Sequence, residues 1–387
     1  MNQQQLTDGT RYSITVYQAF TIVVSTIYGV GVLSLPRDVA EVSGNDMSWI
    51  IIVSGIFVGI IIALLTALCM RFPGQTIVQF APEILGSRRS HWLGRFLTII
   101  VLLIIALYLV SGISMSVRIF GEAMVNAVLV NTPIEAVILV LLISVAIAAG
   151  SEFGIVAKYN ELLMLLNFFP LVIEIFAFIQ RGESTNLLPL LQMNTSQLPK
   201  AMLSGAFAYS GYSVLLMFSG FYKQPMKAWK AHLFAIGTII VLYWIKCVGT
   251  LSIFGKDELV RVMYPVLETG KVIRLHAMLF ERLESAILSI WLVLVFTSVL
   301  NLYACTVQMV IEFFRLKGRY RRWIAFAFAP VLYVMAMAPE NMGEVGKYAE
   351  RVGIFGFLTD CLPILLLVIA ILRRKKGEMP REISSSR

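Results

Sequence analysis

The sequence predicts an all-α integral membrane protein with ten transmembrane helices, arranged as a five-plus-five inverted repeat in which helices 1 and 6 are discontinuous. Three observations predict it. The 387 residues are 58% hydrophobic and only 14% charged, with a mean hydropathy of +0.81, whereas a soluble domain carries about 25% charged residues. The apolar stretches run for about 20 residues, the length of a spanning helix, and do not alternate as barrel strands do. The first and sixth stretches are each interrupted near the middle by a glycine-containing polar patch. One reads Ser25-Thr26-Ile27-Tyr28-Gly29-Val30-Gly31 and runs on to Pro36; the other reads Gly205-Ala206-Phe207-Ala208-Tyr209-Ser210-Gly211-Tyr212-Ser213.

Segment one covers 14–35. The opening from Met1 to Arg11 is short and polar, with no basic n-region or small-residue cleavage site, so the first span is expected to stay in place. Segments two to five cover 47–70, 95–118, 134–150 and 159–180; segments six to ten cover 200–222, 232–254, 282–304, 323–338 and 354–372. An odd number of crossings per half makes the second half enter from the opposite side. Any internal repeat, about 12–180 against about 198–372, is therefore inverted, although no residue-level similarity links the halves. The loop 71–94 contains Pro73, Gly74, Pro82 and Glu83 and suits an interfacial helix. The loop 255–281 mixes charges of both signs and suits an ordered cap at the outer mouth. No loop is long enough for a core of its own, so 1–372 reads as a single transmembrane domain. Residues 373–387 read as a basic, disordered cytoplasmic tail.

Net charge is +9, and the basic residues are unevenly placed. With a cytoplasmic N-terminus, 20 Lys and Arg fall inside and 11 outside, Lys246 lying within a span. The positive-inside rule thus puts both termini in the cytoplasm. Topology and anionic lipid headgroups account for the basic excess, and no basic face interleaved with aromatics suggests nucleic acid. Cys69, Cys247, Cys305 and Cys361 lie in spans or at their ends without metal-ligand or disulfide spacing. Three histidines, His91, His232 and His276, sit in loops or at span ends. No metal, cofactor or enzymatic chemistry is expected.

Glycine weakens a helix by about 1 kcal/mol relative to alanine, and unwound backbone in hydrocarbon persists only where it is packed in protein or lines a cavity. Matched interruptions in two halves of a membrane protein point to a transporter-type binding site between them. Free amides at a half-helix end suit a carboxylate and free carbonyls suit an ammonium, and an α-amino acid needs both. The ligand-binding candidates are Thr26, Tyr28, Gly29, Val30 and Gly31 in segment one, with Tyr209, Ser210, Gly211 and Tyr212 beside Ser213 in segment six. Tyr108, near Ser111, joins them from segment three. The alternative is that the glycines only permit close helix packing, and that the hydroxyls bond carbonyls one turn back. Ionisable residues within spans are expensive and usually functional. Thr297, Ser298, Asn301, Lys246 and Glu174 are candidates for an ion or coupling role; Asp360 also lies within a span, and one of the acids is expected to pair with Lys246. Glu122, Glu281, Arg282 and Glu284 fall at span ends, where snorkelling accounts for them. Glu161 lies near the start of segment five.

The ten-span plan and the run Gly29-Val30-Gly31-Val32-Leu33-Ser34-Leu35-Pro36 resemble the amino acid–polyamine–organocation transporter superfamily. More narrowly, four features resemble the B subunits of bacterial spore nutrient receptors, the spore germination permease-like family. These are the short polar N-terminus, Tyr264-Pro265-Val266-Leu267-Glu268, Phe280-Glu281-Arg282-Leu283-Glu284 and Arg373-Arg374-Lys375-Lys376. The resemblance covers nearly the whole chain. It implies a LeuT-type fold, a location in the spore inner membrane and a small germinant, most naturally an amino acid. It also implies partnership with an A-type membrane subunit and a C-type lipoprotein subunit. Proton-coupled members of the superfamily place a lysine midway along segment five. Here that stretch reads Leu165-Leu166-Asn167 and Lys158 lies at the segment's end, which favours sensing over active transport. The rival readings are an independent amino-acid transporter and a structural or ion-conducting subunit with a vestigial pocket. A Tyr- and Ser-lined pocket also suits sugars or nucleosides.

Overall fold

The structure is a computed structural model describing residues 14–86, 91–272 and 283–378. The opening residues 1–13, Glu281, Arg282 and the Ser-rich end at 379–387 lie outside the described residues. Among those described, every regular element is helical. Segment one is α1 (Val16–Ile27), a 3-10 turn over Val30–Leu33 and α2 (Leu35–Ser43). It is followed by α3 (Met47–Arg71), α4 (Ile77–Leu85), α5 (His91–Ala127), α6 (Ile134–Ala149), α7 (Phe153–Leu163) and α8 (Phe169–Arg181). Segment six is α9 (Leu198–Ala208), then 3-10 turns flanking the short α10 (Leu215–Phe218). After it come α11 (Ala228–Leu259), α12 (Pro265–Val272), α13 (Leu283–Phe313), α14 (Arg321–Met337) and α15 (Met342–Leu372).

Among the described residues, six stretches are long and apolar enough to cross a membrane: Leu35–Arg71, Trp92–Ala127, Phe153–Arg181, Pro225–Leu259, Ile287–Phe313 and Gly343–Leu372. The pair Thr195–Ala208 and Tyr212–Phe221 meets the same criterion jointly, bent by 57° at its break. Helices α1 and α6 are shorter apolar helices. Their surfaces suit lipid. On α5, Leu93, Phe96, Ile100, Leu103 and Leu107 recur every three or four residues and are exposed, while Leu102, Ile105, Leu109 and Ile113 are buried. One helix thus shows an apolar face to the bundle and another to its surroundings, as a multi-pass membrane protein requires.

Local sequence explains the boundaries. Thr15 caps α1 reciprocally with Gln18, its hydroxyl accepting from the Gln18 amide at 3.2 Å while the Gln18 side chain accepts from the Thr15 amide at 3.0 Å. Segment one extends past its expected end near residue 35, because Pro36 occupies the first turn of α2, where its missing N–H costs nothing. Segment five begins earlier than expected and carries a third interruption, a 3-10 turn over Met164–Phe168. Pro170 has no N–H to return to the carbonyl of Leu166, so the helix tightens ahead of it. Segments eight and ten run longer than expected, to Phe313 and from Met342. The loop 71–94 contains a helix, α4, capped by Thr76, whose hydroxyl also donates to Glu312. The loop after segment seven contains α12.

Several polar residues near span ends find partners within the protein. His232 is buried between the Thr66 hydroxyl at 2.8 Å and the Tyr222 hydroxyl at 3.0 Å. Glu122 pairs with Arg118 at 2.7 Å, and Glu161 accepts from the Gln18 side chain at 2.7 Å. The described start of the tail is held in place: Arg373 donates to the carbonyls of Ile84, Leu85 and Gly86, and Arg71 donates to the Lys375 carbonyl.

The two broken segments pass each other in opposite directions. Ile14, just before α1, receives the Lys223 amide at 2.9 Å and donates its own to the Phe221 carbonyl at 3.2 Å. The beginning of segment one therefore lies against the end of segment six, and the breaks meet in the interior.

Candidate functional site

The first break opens after Ile27. Tyr28 leaves the helical conformation at φ −82°, ψ 55°, and Gly29 follows at φ −118°, ψ −102°. Carbonyls freed by such a break need donors, and neighbouring helices provide them. Ser298 donates to the Thr26 carbonyl at 2.7 Å, Tyr243 to that of Ile27 at 2.9 Å, and the Trp291 indole to that of Gly29 at 3.2 Å. The Thr26 hydroxyl donates to the Ile22 carbonyl at 2.6 Å and accepts from Asn301 at 2.8 Å. Asn301 in turn exchanges two amide hydrogen bonds with Asn160 of α7, at 2.7 and 2.9 Å. Thr297 stays within its own helix, donating to the Leu294 carbonyl at 2.9 Å. The 3-10 turn begun by Val30 and Gly31 has no side-chain cap.

Beside this break lies a buried charge pair. Lys246 of α11 donates to Glu174 of α8, and its ammonium sits 5.5 Å from the centre of the Tyr28 ring. Glu174, not Asp360, is therefore the partner of Lys246. The Tyr28 hydroxyl and the second Glu174 carboxylate oxygen are buried with no hydrogen-bond partner among the described residues.

The second break is built on Gly211, at φ +107°, a conformation that L side chains rarely adopt. A Cβ there would lie 3.1 Å from the Thr26 methyl, so the two breaks are in direct contact. Tyr243 joins them from α11: its hydroxyl donates to the Ala208 carbonyl at 3.1 Å as well as to Ile27. The candidates in this segment point in different ways. Tyr209 turns toward α3 and donates to the Ile51 carbonyl at 2.9 Å. Tyr108 of α5 faces Ser210 across the cleft next to the Gly211 backbone. Tyr212 is buried and lines the cleft beside Asp360 of α15.

Tyr108, Ser210, Tyr212 and Asp360 line one narrow cleft between α3, α5, α15 and the second break. The space it encloses is about 20 Å³, room for little more than a water molecule, so a ligand would have to part these walls to enter. Phe57, Phe207 and Phe357 line the remaining wall. No residue of the first break lines it. Of the sequence candidates, the structure gathers Tyr108, Ser210 and Tyr212 here, with the Gly211 backbone behind them. It gathers Thr26, Ser298 and Asn301 on the other side of the breaks, and Tyr28, Lys246 and Glu174 in a third place. Asp360 is the cleft residue that sequence reasoning did not assign. Its signal was Gly353, Gly356 and Asp360 on one face of α15, small residues opposite a bulky neighbour: a Cβ on Gly356 would stand 2.5 Å from the Tyr108 ring. Trp291 was also missed, being outwardly an ordinary core aromatic.

The family model described as "Spore germination protein" matches residues 13–345. The chain belongs to the spore germination permease family. Within that family it is 27% identical over 373 residues to spore germination protein YndE of Bacillus subtilis (strain 168), covering 94% of this chain and 98% of that protein. It is 23% identical to spore germination protein B2 of the same organism, covering 95% and 97%. It is 24% identical to spore germination protein GerLB of Bacillus cereus, covering 91% and 93%. Among solved structures it resembles MhsT in complex with L-phenylalanine, with a TM-score of 0.65 at 14% identity over 92% of this chain and 88% of that one. This spore germination permease thus has a LeuT-type fold, as the resemblance implied.

Proposed function

We propose that this chain is the membrane subunit of a spore nutrient germinant receptor, which binds a small germinant at its broken helices 1 and 6 and signals to partner subunits. The observation that carries the reading is the cleft against the second break, where polar side chains from three segments converge on unwound backbone. The germinant is an amino acid in this reading: the similar MhsT holds L-phenylalanine, and the cleft combines aromatic walls with hydroxyl and carboxyl groups. The bundle reads as ten crossings in a five-plus-five inverted repeat. Segments one and six run antiparallel overall, the start of one lying against the end of six, the breaks touching and α2 packing on α9, and this supports the reading; both termini then face the cytoplasm. The partners in this reading are an A-type membrane subunit and a C-type lipoprotein in the spore inner membrane. Signalling needs only that the germinant bind one conformation of the bundle better than another.

The test is thermal stability of the purified subunit against amino acids, sugars and nucleosides, repeated with Ala206→Phe, which fills the cleft, and Gly31→Trp, at the first break. A compound-specific upward shift lost in Ala206→Phe supports a site at the second break. A shift lost only in Gly31→Trp moves the site to the first. No shift with any compound in a monodisperse sample counts against an autonomous site.

An independent amino-acid transporter is the second reading, favoured by the buried Lys246–Glu174 pair beside a break, a place where a coupled proton would act. Ligand-dependent flux in liposomes containing this chain alone would establish it.

A further inference from the structure

The carboxyl of Asp360 sits inside the bundle, 5% exposed, on the wall of the cleft. Its polar neighbour in the cleft is the Tyr212 hydroxyl. It takes part in neither of the ion pairs found among the described residues, Arg118–Glu122 and Lys246–Glu174. Its counterpart Glu174, similarly buried, has an ammonium in contact. Of the buried acids, Asp46 is held by the Trp49 indole and the Leu191 and Met193 amides and Glu174 by Lys246, whereas Asp360 has no cation among the described residues.

A carboxylate offers about four acceptor sites, of which one hydroxyl can fill one. A charge in such surroundings is expensive unless a partner compensates it, and the open side of Asp360 is the cleft. The carbonyls at the first break, which would otherwise receive a ligand cation, already accept from Ser298, Tyr243 and Trp291. Glu174 keeps one oxygen unpartnered but already holds the Lys246 ammonium, so a positive group entering the cleft meets at Asp360 a carboxylate with no cation paired to it among the described residues. The surrounding rings of Phe57, Phe207, Phe357 and Tyr108 suit an apolar body, and aromatic faces also attract cations.

We infer that Asp360 is the specificity-determining residue of the cleft, holding the protonated amine of the ligand, with Tyr212 positioning its carboxylate. The inference rests on the reading of the cleft as the ligand site and narrows the ligand to a small primary amine with an apolar body. The ammonium comes either from the α-position of an amino acid or from its side chain. Sugars and neutral nucleosides are excluded.

The test uses the full purified chain and matched compounds: leucine, the amine isoamylamine that lacks its carboxylate, and the acid 4-methylpentanoate that lacks its amine. Lysine against norleucine distinguishes a side-chain ammonium from an α-ammonium. Binding is followed by thermal shift and calorimetry in the native protein, Asp360→Asn, Tyr212→Phe and Ala206→Phe. The expected result is that amine-bearing compounds bind and the matched acid does not. Asp360→Asn should then weaken amine binding by about thirty-fold or more, the scale of losing a buried charge partner. Tyr212→Phe, which keeps the carboxylate and removes its positioning donor, should weaken it by about fivefold. If the acid binds as well as the amine, or amine binding survives Asp360→Asn but is lost in Ala206→Phe, the cleft is the site and Asp360 is not its determinant. If amine binding survives Ala206→Phe as well, or no compound binds the native chain, the cleft reading fails and this inference with it.

Discussion

The two breaks look alike in sequence and are unlike in structure. At the first, the carbonyls of Thr26, Ile27 and Gly29 are taken by donors from α11 and α13, and Gly29 is pressed so close to Ser298 that a Cβ would lie 2.4 Å from it. At the second, the backbone turns through a positive φ at Gly211, and Ser210 and Tyr212 face a cleft. Unwinding a helix within a membrane creates the same demand at both places, for partners to the freed backbone groups. The first break meets that demand with protein and becomes a packed joint. The second leaves part of its lining facing the cleft and is the better place for a ligand. Tyr243, bonded to a carbonyl of each, links the joint to the site.

The largest effect that tests this contrast concerns the charge pair beside the packed break. Lys246→Met alone, or Glu174→Gln alone, should destabilise the protein by about 3–5 kcal/mol, because each leaves an uncompensated buried group. Denaturant unfolding in detergent measures it, and a loss below about 1 kcal/mol would show the pair to be wetted and the first break less closed than described. Replacing both residues together should cost much less than the sum of the two.

Next come the glycines. Gly29→Ala should cost about 1–3 kcal/mol through overpacking against Ser298. Gly211→Ala should cost a similar amount, about 1–3 kcal/mol, through backbone strain. The two can be separated with Ser298→Gly, which removes both the Cβ and the hydroxyl that would stand 2.4 and 2.5 Å from a Cβ at Gly29 and should relieve only that variant. Equal relief of both would mean that the breaks are not distinct in kind.

A smaller effect is expected for Tyr243→Phe, which strips one donor from two carbonyls. Hydrogen bonds within membrane bundles are worth about 0.6 kcal/mol on average and up to about 1.7, and the upper part of that range is expected here. More telling is its readout on ligand binding at the second break: a stability loss without any change in affinity would deny the hydroxyl a linking role. The smallest effect belongs to Gly31→Ala. No atom stands within 4 Å of a Cβ there, so stability should change by less than about 0.5 kcal/mol. A larger loss would place Gly31 in the packed joint with Gly29.

Much of the fold was legible because its signals are local. An apolar run of spanning length, a glycine patch inside it and a proline in a first turn each act on their own few residues. The short helix over Ile77–Leu85 was similarly readable as an ordered piece of the loop 71–94. Helix lengths were read less well: Pro170 interrupts segment five through its effect on a carbonyl four residues earlier, a consequence visible in sequence but not drawn from it. The candidate site was legible in composition and not in arrangement. Tyr108, Ser210 and Tyr212 do converge, but Tyr209, one residue from Ser210, faces another helix.

What the sequence by itself determined is therefore the membrane class, the paired breaks and the small set of polar residues near them, since the bilayer penalises polar groups and unwound backbone wherever they occur. Only the tertiary structure decided which break is filled and which faces a cleft, that Lys246 meets Glu174, and that Asp360 remains without a cation. Those outcomes depend on how each helix is rotated about its axis and on which neighbour it packs against. A helix presents a different face with every 100° step per residue, and contacts between distant segments settle the rotation that no local pattern encodes.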